Sequence, residues 1–373
     1  MSLPAKFPLI FTLFITAISC QMKTDESKVA VSIEEQLFGY VNTDPVHVYI
    51  IRNQQGLEVH IINYGATITQ LLVPDKFGKS ENIVLGFDSL QGYLSSANPY
   101  FGATIGRYAN RIAKASFEID GKKFMLDANN NGHCLHGGFK GFDKVIWQAR
   151  VLSDSSVQFQ YFSPHGEGGF PGNLHAEATF SITSGLELHI DFKATTDAPT
   201  HVNLTSHSYF NLSGGEDLTI LDHELRILAS RFTEVNDELI PTGRMLGCAG
   251  TPFDFSRLKR IGNDIGLVRG GYDHNFILDR EGEGLVPAAE LIHRSSGRGM
   301  RIYTTQPGIQ FYSGNFLDGT LTGRGGISYP RHGGLCLEPQ HFPDSPNQSQ
   351  FPSTLLKPGE TYTAHIVYQF FTQ

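Results

Sequence analysis

The chain has 373 residues, with 29 Lys and Arg against 37 Asp and Glu and a formal net charge of −8. That acidic balance offers no basic face for nucleic acid. With 40 glycines, 18 prolines and 27 phenylalanines, and no segment that sustains a helical period, the composition excludes a coiled coil or helical bundle and predicts an all-β fold with an aromatic core. The length allows two ordinary domains or one large β domain.

At the start, Lys6 provides a positive residue, Phe7 to Thr16 an apolar run and Ala17-Ile18-Ser19-Cys20 a small-residue end. This is the pattern of an export signal, and its apolar run is shorter than the roughly 20 residues that span a bilayer. The final tetrapeptide resembles a bacterial lipobox, in which the cysteine is acylated and becomes the mature N-terminus. Residues 1–19 are therefore expected to be a signal peptide, Cys20 the lipidation site, 20–36 a polar tether and 37–373 one β-sandwich domain. The expected location is the periplasm or cell envelope of a bacterium. Apart from Cys20, the chain holds Cys134, Cys248 and Cys336. Three thiols argue against a disulfide framework, and their spacings form no zinc pattern.

Beyond residue 40 no linker or composition shift interrupts the chain. Ser116 to Leu126 alternates and carries Asp120-Gly121 at its middle, which predicts a hairpin. The same alternation predicts strands over 157–162, 174–182, 186–194, 299–305 and 365–370. Helix is expected only near 90–95 and 257–265.

Several polar clusters interrupt these patterns with groups that are costly to bury unpaired. Asn110 and Arg111, in Gly106 to Ile112, present amide and guanidinium donors suited to hydroxyls. Asn131 to Phe142 crowds glycines around His133 and His136; a ligand-binding histidine, a turn histidine and a metal ligand all remain readings of that pair. His201 to Gly215 replaces apolar strand centres with Thr-Ser-His-Ser-Tyr. Asp273 lies in Gly270 to Phe276, and Gln310 in Thr304 to Asn315. In Gly333 to Phe342, alternation turns Leu335 and Leu337 to one face, and Pro339 is expected to end pairing, which leaves Glu338 at a strand end as a partly desolvated carboxylate. Amides, Arg, His and carboxylates beside Tyr and Phe form the set that a sugar site uses, since hydroxyls take polar partners and the C–H faces of the ring pack on aromatics. No P-loop and no glycine fingerprint opening a helix is present, so a phosphate cradle is not expected.

Six blocks together carry a resemblance: Gly-Arg-Tyr-Ala-Asn-Arg-Ile at 106–112, Leu-His-Gly-Gly at 135–138, Asn-Leu-Thr-Ser-His-Ser-Tyr-Phe-Asn-Leu at 203–212, Tyr-Asp-His-Asn-Phe at 272–276, Gln-Pro-Gly-Ile-Gln-Phe-Tyr at 306–312 and Cys-Leu-Glu-Pro-Gln at 336–340. In these motifs and their order the sequence is similar to the aldose 1-epimerase (galactose mutarotase) family, from about Phe38 to the C-terminus. The resemblance implies a large twisted antiparallel β-sandwich with one open sugar cleft and the interconversion of α and β anomers of galactose, glucose and related aldoses. By the same resemblance His207 is the general acid, Glu338 the general base and His136 a supporting second histidine. Asn110, Arg111, His136, Ser208, Tyr209, Asp273 and Gln310 then hold sugar hydroxyls or order the site. Familiar members of the family are cytoplasmic, so the export segment sets this chain apart.

The chemistry follows from the residue types as well. Opening a cyclic hemiacetal removes a proton from the anomeric hydroxyl and delivers one to the ring oxygen, so a base and an acid must act together, each worth about 10²–10⁴-fold. An ionised Glu338 and a protonated His207 would supply them, and a nearby carboxylate is expected to raise the His207 pKa. No metal or other cofactor is needed for this step, although a structural calcium stays open. A free monosaccharide is the expected partner, with no nucleic acid, membrane contact only through the lipid at Cys20, and a monomer or homodimer as the assembly. Two other readings are a non-catalytic sugar-binding lipoprotein and a glycoside hydrolase using Glu338 and Asp273 as its carboxylate pair.

Overall fold

In the strand Leu174–Ile182, Leu174, Ala176, Ala178, Phe180 and Ile182 are buried while the residues between them are exposed or half-buried. A period of two with one wet face is what an antiparallel sheet over a core requires. The computed structural model describes residues 31–373, together with Met1, Ser2 and Pro4. Apart from those three positions, the expected signal peptide, Cys20 and the tether up to residue 30 lie outside the described residues.

Three antiparallel sheets dominate. The largest has nine strands in the order Gln148–Ser153, Ser156–Ser163, Leu174–Ile182, Glu187–Thr196, Tyr362–Thr372, Arg298–Thr304, Val286–His293, Glu224–Ile227 and Lys259–Arg260. A five-stranded sheet runs Pro241–Gly247, Ala229–Val235, Asp273–Leu278, Gly308–Tyr312 and Cys336–Gln340. The third sheet orders Val31–Val41, Asp44–Asn53, Glu58–Ile62, Thr67–Pro74 and Ser80–Asn82. One apolar cluster draws on all three, for instance Ile51 and Val59, Phe180 and Ile366, and Phe276 and Leu337. Each such side chain contributes about 1.5–3 kcal/mol when fully buried.

The antiparallel sandwich and the strands expected from alternation are present, including the hairpin Ser116–Ile119 with Lys122–Met125. Leu90–Leu94 is the only α-helix among the described residues. Three expectations need correction. Residues 31–36 are not tether: Val31 and Ile33 pack against the core while Ser32 and Glu34 face outward, and the segment pairs along Asp44–Asn53. The 257–265 region forms the short strand Lys259–Arg260 and two 3₁₀ turns, Ile261–Asn263 and Ile265–Leu267, with Gly262 and Gly266 unfavourable to a longer helix. Pro339 does not end its strand. Cys336–Gln340 lies at the edge of the five-stranded sheet, where a missing N–H can face away from the neighbour, so Glu338 sits at mid-strand.

Candidate active site

The five-stranded sheet has two chemically distinct faces where it carries the site. Register places Asn275 opposite Gln310 and Gln310 opposite Glu338, with Asp273, Tyr312 and Cys336 forming the adjacent row. On the other face Phe276, Ile309, Phe311 and Leu337 join the apolar core. Strand alternation thus sends Leu337 inward and Glu338 toward the polar side.

Loops complete the site. The short pair Thr205–Ser206 with Thr104–Ile105 leads into His207, and Cys134–Leu135 with Arg111–Ile112 brings His136 beside Asn110. Tyr100, Asn110 and His136 have φ of +66°, +64° and +52°. Three non-glycine residues held in the left-handed region at one place mark a backbone fixed by its surroundings. Gly137 follows at φ +88°, where a Cβ would meet the Gly106 carbonyl oxygen at 2.1 Å. Its glycine is therefore required by an approach of two backbone segments, and not by a ligand as the crowding of glycines suggested.

The cleft is lined by Tyr100, Asn110, Arg111, His136, His207, Tyr209, Asp273, Tyr312 and Phe316, among others. His207 is stacked between Tyr100 and Tyr209, with ring centroids 5.8 and 5.2 Å away. Its Nε2 is 3.7 Å from Glu338 Oε2, and its Nδ1 is 3.5 Å from Cys336 Sγ. The His136 ring meets His207 edge-on at 5.1 Å. His136 Nδ1 accepts the Asn110 backbone N–H, so in the neutral ring the proton belongs to Nε2. Arg111 Nη1 is 3.9 Å from Asp273 Oδ2, and Gln310 Nε2 donates to Asp273 Oδ1 at 2.6 Å.

Of the site residues expected from the sequence, Asn110, Arg111, His136, His207, Tyr209 and Asp273 line the cleft. Glu338 and Gln310 reach it through His207 and Asp273. Ser208 is buried with an unpartnered Oγ and is not among the lining residues. Glu338 Oε2 and Gln310 Oε1 are likewise buried without a protein partner, as atoms awaiting a ligand or water are. His133 lies apart from the cleft lining. Its Nδ1 accepts the Lys114 N–H and its Nε2 is 3.4 Å from Glu238, so it is a turn histidine.

Sequence reasoning passed over Tyr100, Phe316 and Cys336 as site residues, and quoted Asn275 and Tyr312 only within the blocks 272–276 and 306–312. Asn275 stands inside the Tyr-Asp-His-Asn-Phe block, and strand alternation from Asp273 puts it on the same face of the sheet. Tyr100 has no comparable signal, because only tertiary packing brings it onto His207. The ligating atoms of His207, Cys336 and Glu338 lie within 4.8 Å of one another. An ion held there would compete with a sugar for the same atoms.

Burial controls the electrostatics. It raises the Glu338 pKa well above the usual carboxylate value; nearby Asp273 adds to the rise and Arg111 opposes it. Burial also lowers His207 to about 4. The expected rise at His207 is thus reversed, because loss of water around the imidazolium dominates and Glu338, itself raised by burial, offers little negative charge to offset it. His136 is pushed well below its ordinary value by burial, with further contributions from His207, Arg111 and Lys144.

The aldose 1-epimerase family model matches residues 47–369. This chain belongs to the aldose 1-epimerase family. It is 46% identical over 343 residues to galactose mutarotase of Bos taurus, covering 91% of this chain and 99% of that protein. Identity to galactose mutarotase of Homo sapiens is 48% over 315 residues, covering 84% and 91%. Aldose 1-epimerase of Escherichia coli K12 is 39% identical over 337 residues, covering 88% and 96%. Among solved structures, an aldose epimerase homologue from C. elegans superposes with a TM-score of 0.81 at 30% identity, covering 92% of this chain and 99% of that one. Galactose 1-epimerase from Lactobacillus acidophilus gives 0.80 at 26% identity, with the same coverage.

Proposed function

We propose that this aldose 1-epimerase family member interconverts the α and β anomers of free aldohexoses such as galactose and glucose, with Glu338 as general base and His207 as general acid. The observation that carries the reading is the 3.7 Å separation of His207 Nε2 and Glu338 Oε2 beside the cleft. Between the lowered pKa of His207 and the raised pKa of Glu338 the pair holds one proton. Burial favours the form with the proton on Glu338, and transfer to His207 changes no net charge. The Arg111 guanidinium favours the transferred form by lowering the Glu338 pKa.

In the catalytic direction, Glu338 takes the proton of the anomeric hydroxyl while His207 Nε2–H protonates the ring oxygen. The C1–O5 bond breaks and a carbonyl forms at C1. Rotation about C1–C2 presents the other carbonyl face, and closure reverses both proton transfers. Donors from Asn110, Arg111 and His136 Nε2 would hold the remaining hydroxyls, with Asp273 accepting and Gln310 fixing its carboxylate. This sequence consumes no cofactor.

Polarimetry on freshly dissolved α-galactose and α-glucose tests the proposal. Exchange should be far faster than the spontaneous rate and should fall by about 10²–10⁴-fold in Glu338→Gln and in His207→Asn. Wild-type rates in both variants would overturn the assignment. Binding without faster exchange would identify a sugar-binding lipoprotein, and nitrophenol release from an aryl galactoside a hydrolase. We also propose export through residues 1–19 and acylation at Cys20, supported by the sequence pattern alone. Incorporation of labelled palmitate that persists in Cys20→Ser would rule out that site.

A further inference from the structure

The wet face of the nine-stranded sheet carries a histidine pair that takes no part in the cleft. His189 on Glu187–Thr196 and His365 on Tyr362–Thr372 belong to adjacent strands in the middle of that sheet, with Asp191 directly opposite His365. His189 Nδ1 is 3.2 Å from His365 Nε2, and Asp191 Oδ1 is 3.7 Å from the same Nε2. His189 Nε2 lies 3.3 Å from Glu187 Oε2. The side chains of His189, His365 and Asp191 are 24%, 30% and 53% exposed, so an ion can reach them from solvent.

We infer that His189 and His365 form a two-histidine surface site for a divalent transition-metal ion of the Zn²⁺ or Ni²⁺ type, which Asp191 joins only by turning its exposed side chain. Two imidazole nitrogens bound to one ion at about 2.0–2.1 Å stand roughly 2.9 Å apart at a right angle and roughly 3.4 Å apart at a tetrahedral angle. The observed 3.2 Å falls between these values. Donation from His189 Nε2–H to Glu187 leaves the Nδ1 lone pair directed at His365. This is the carboxylate–histidine arrangement that orients ligating imidazoles in metal sites. His365 becomes a ligand when its proton occupies Nδ1, and its backbone is fixed by donation from its N–H to Thr305 Oγ1 at 2.9 Å. Two imidazoles, with water completing the shell, suit Zn²⁺, Ni²⁺ or Cu²⁺ more than Ca²⁺ or Mg²⁺, which prefer oxygen. A bound ion would tie the two central strands together across the sheet.

A single proton shared between the rings is the competing explanation, and titration calorimetry with ZnCl₂ and NiCl₂ on the whole protein distinguishes the two. The site predicts one equivalent bound with a rise in Tm. Affinity should fall by more than about tenfold in His189→Gln and His365→Gln and by about tenfold in Glu187→Gln. Anomer exchange should be unchanged by the ion and by these substitutions. Absence of binding in wild type, or undiminished binding in the double histidine variant, would overturn the inference. So would binding that galactose displaces or that Cys336→Ser abolishes, because the ion would then lie in the cleft on His207, Cys336 and Glu338.

Discussion

His207 Nε2 faces Glu338 Oε2 at 3.7 Å, and both residues are almost fully removed from water, at 5% and 2% exposure. The distance is too long for a direct hydrogen bond, and it leaves the two groups poised to act on atoms of a third molecule. Burial shifts the two pKa values in opposite directions, His207 down and Glu338 up. One proton shared by the pair is therefore the stable state over a wide pH range.

The pH profile of kcat/KM should reflect that range. The acid limb corresponds to a second proton entering the pair and should lie well below 6.5, toward the value of about 4 that burial sets for His207. The basic limb corresponds to loss of the shared proton from a pair whose carboxyl is raised. The limbs belong to the pair and not to either residue. An acid limb centred near 6.5 in free enzyme would contradict this reading.

Stability should fall as pH drops from about 6.5 toward 4. His201, His207, His274 and His341 are lowered to about 4, and His223 to about 3. Through this window the unfolded chain binds protons that the folded chain refuses, so stability rises with pH by up to about 1.4 kcal/mol per pH unit for each histidine. Glu338, Asp143 and Asp344 have raised values and act in the opposite sense above the ordinary carboxylate range. These five histidines, joined by His60, His136, His332 and His365, whose values are also lowered, outnumber the three carboxyls and leave a net loss toward acid. Tm measured from pH 7 to 4 should decline, and a flat curve would refute the balance.

Replacing Arg111 by Met should lower kcat/KM by roughly 10–100-fold, the range for a lost charge-assisted contact of about 1.5–3 kcal/mol. The change also leaves Asp273 buried without its cation and lets the Glu338 pKa rise further, because Arg111 is the group that lowers it. The basic limb of the pH profile should therefore move upward in Arg111→Met. A reduced rate with an unmoved limb would assign Arg111 to sugar binding alone.

Tyr100→Ala should reduce kcat by up to about tenfold, as expected for an aromatic contact of 0.5–1.5 kcal/mol, with a smaller effect on KM. Tyr100→Phe should retain most of the activity, since the ring, stacked on His207 and edge-on to His136, is what positions both imidazoles. Steady-state polarimetry on the two variants checks this, and equal losses would point to the hydroxyl.

Much of this architecture was legible because it depends on local alternation. Leu174–Ile182 shows its buried face in its own residues, and Asp120-Gly121 marks its own turn. What could not be read depends on partners distant in the chain. Pro339 breaks a strand only if neighbours lie on both sides, and the edge position of Cys336–Gln340 is a fact of sheet order. Residues 31–36 look polar alone, yet Val31 and Ile33 have the core to pack against. The site motifs identified His207 and Glu338, but their charge states follow from burial, to which residues far along the chain contribute.

The division of the five-stranded sheet into a polar and an apolar face carries a constraint on how this enzyme can diversify. Asp273, Gln310 and Glu338 are held by backbone register, so inserting or deleting one residue in any of their strands would turn a polar group of the site into the core and a core residue toward the cleft side. Insertions and deletions that reshape the cleft are accordingly expected only in the loop-borne walls, such as those carrying Tyr100 and Phe316, while the floor admits substitution but not length variation.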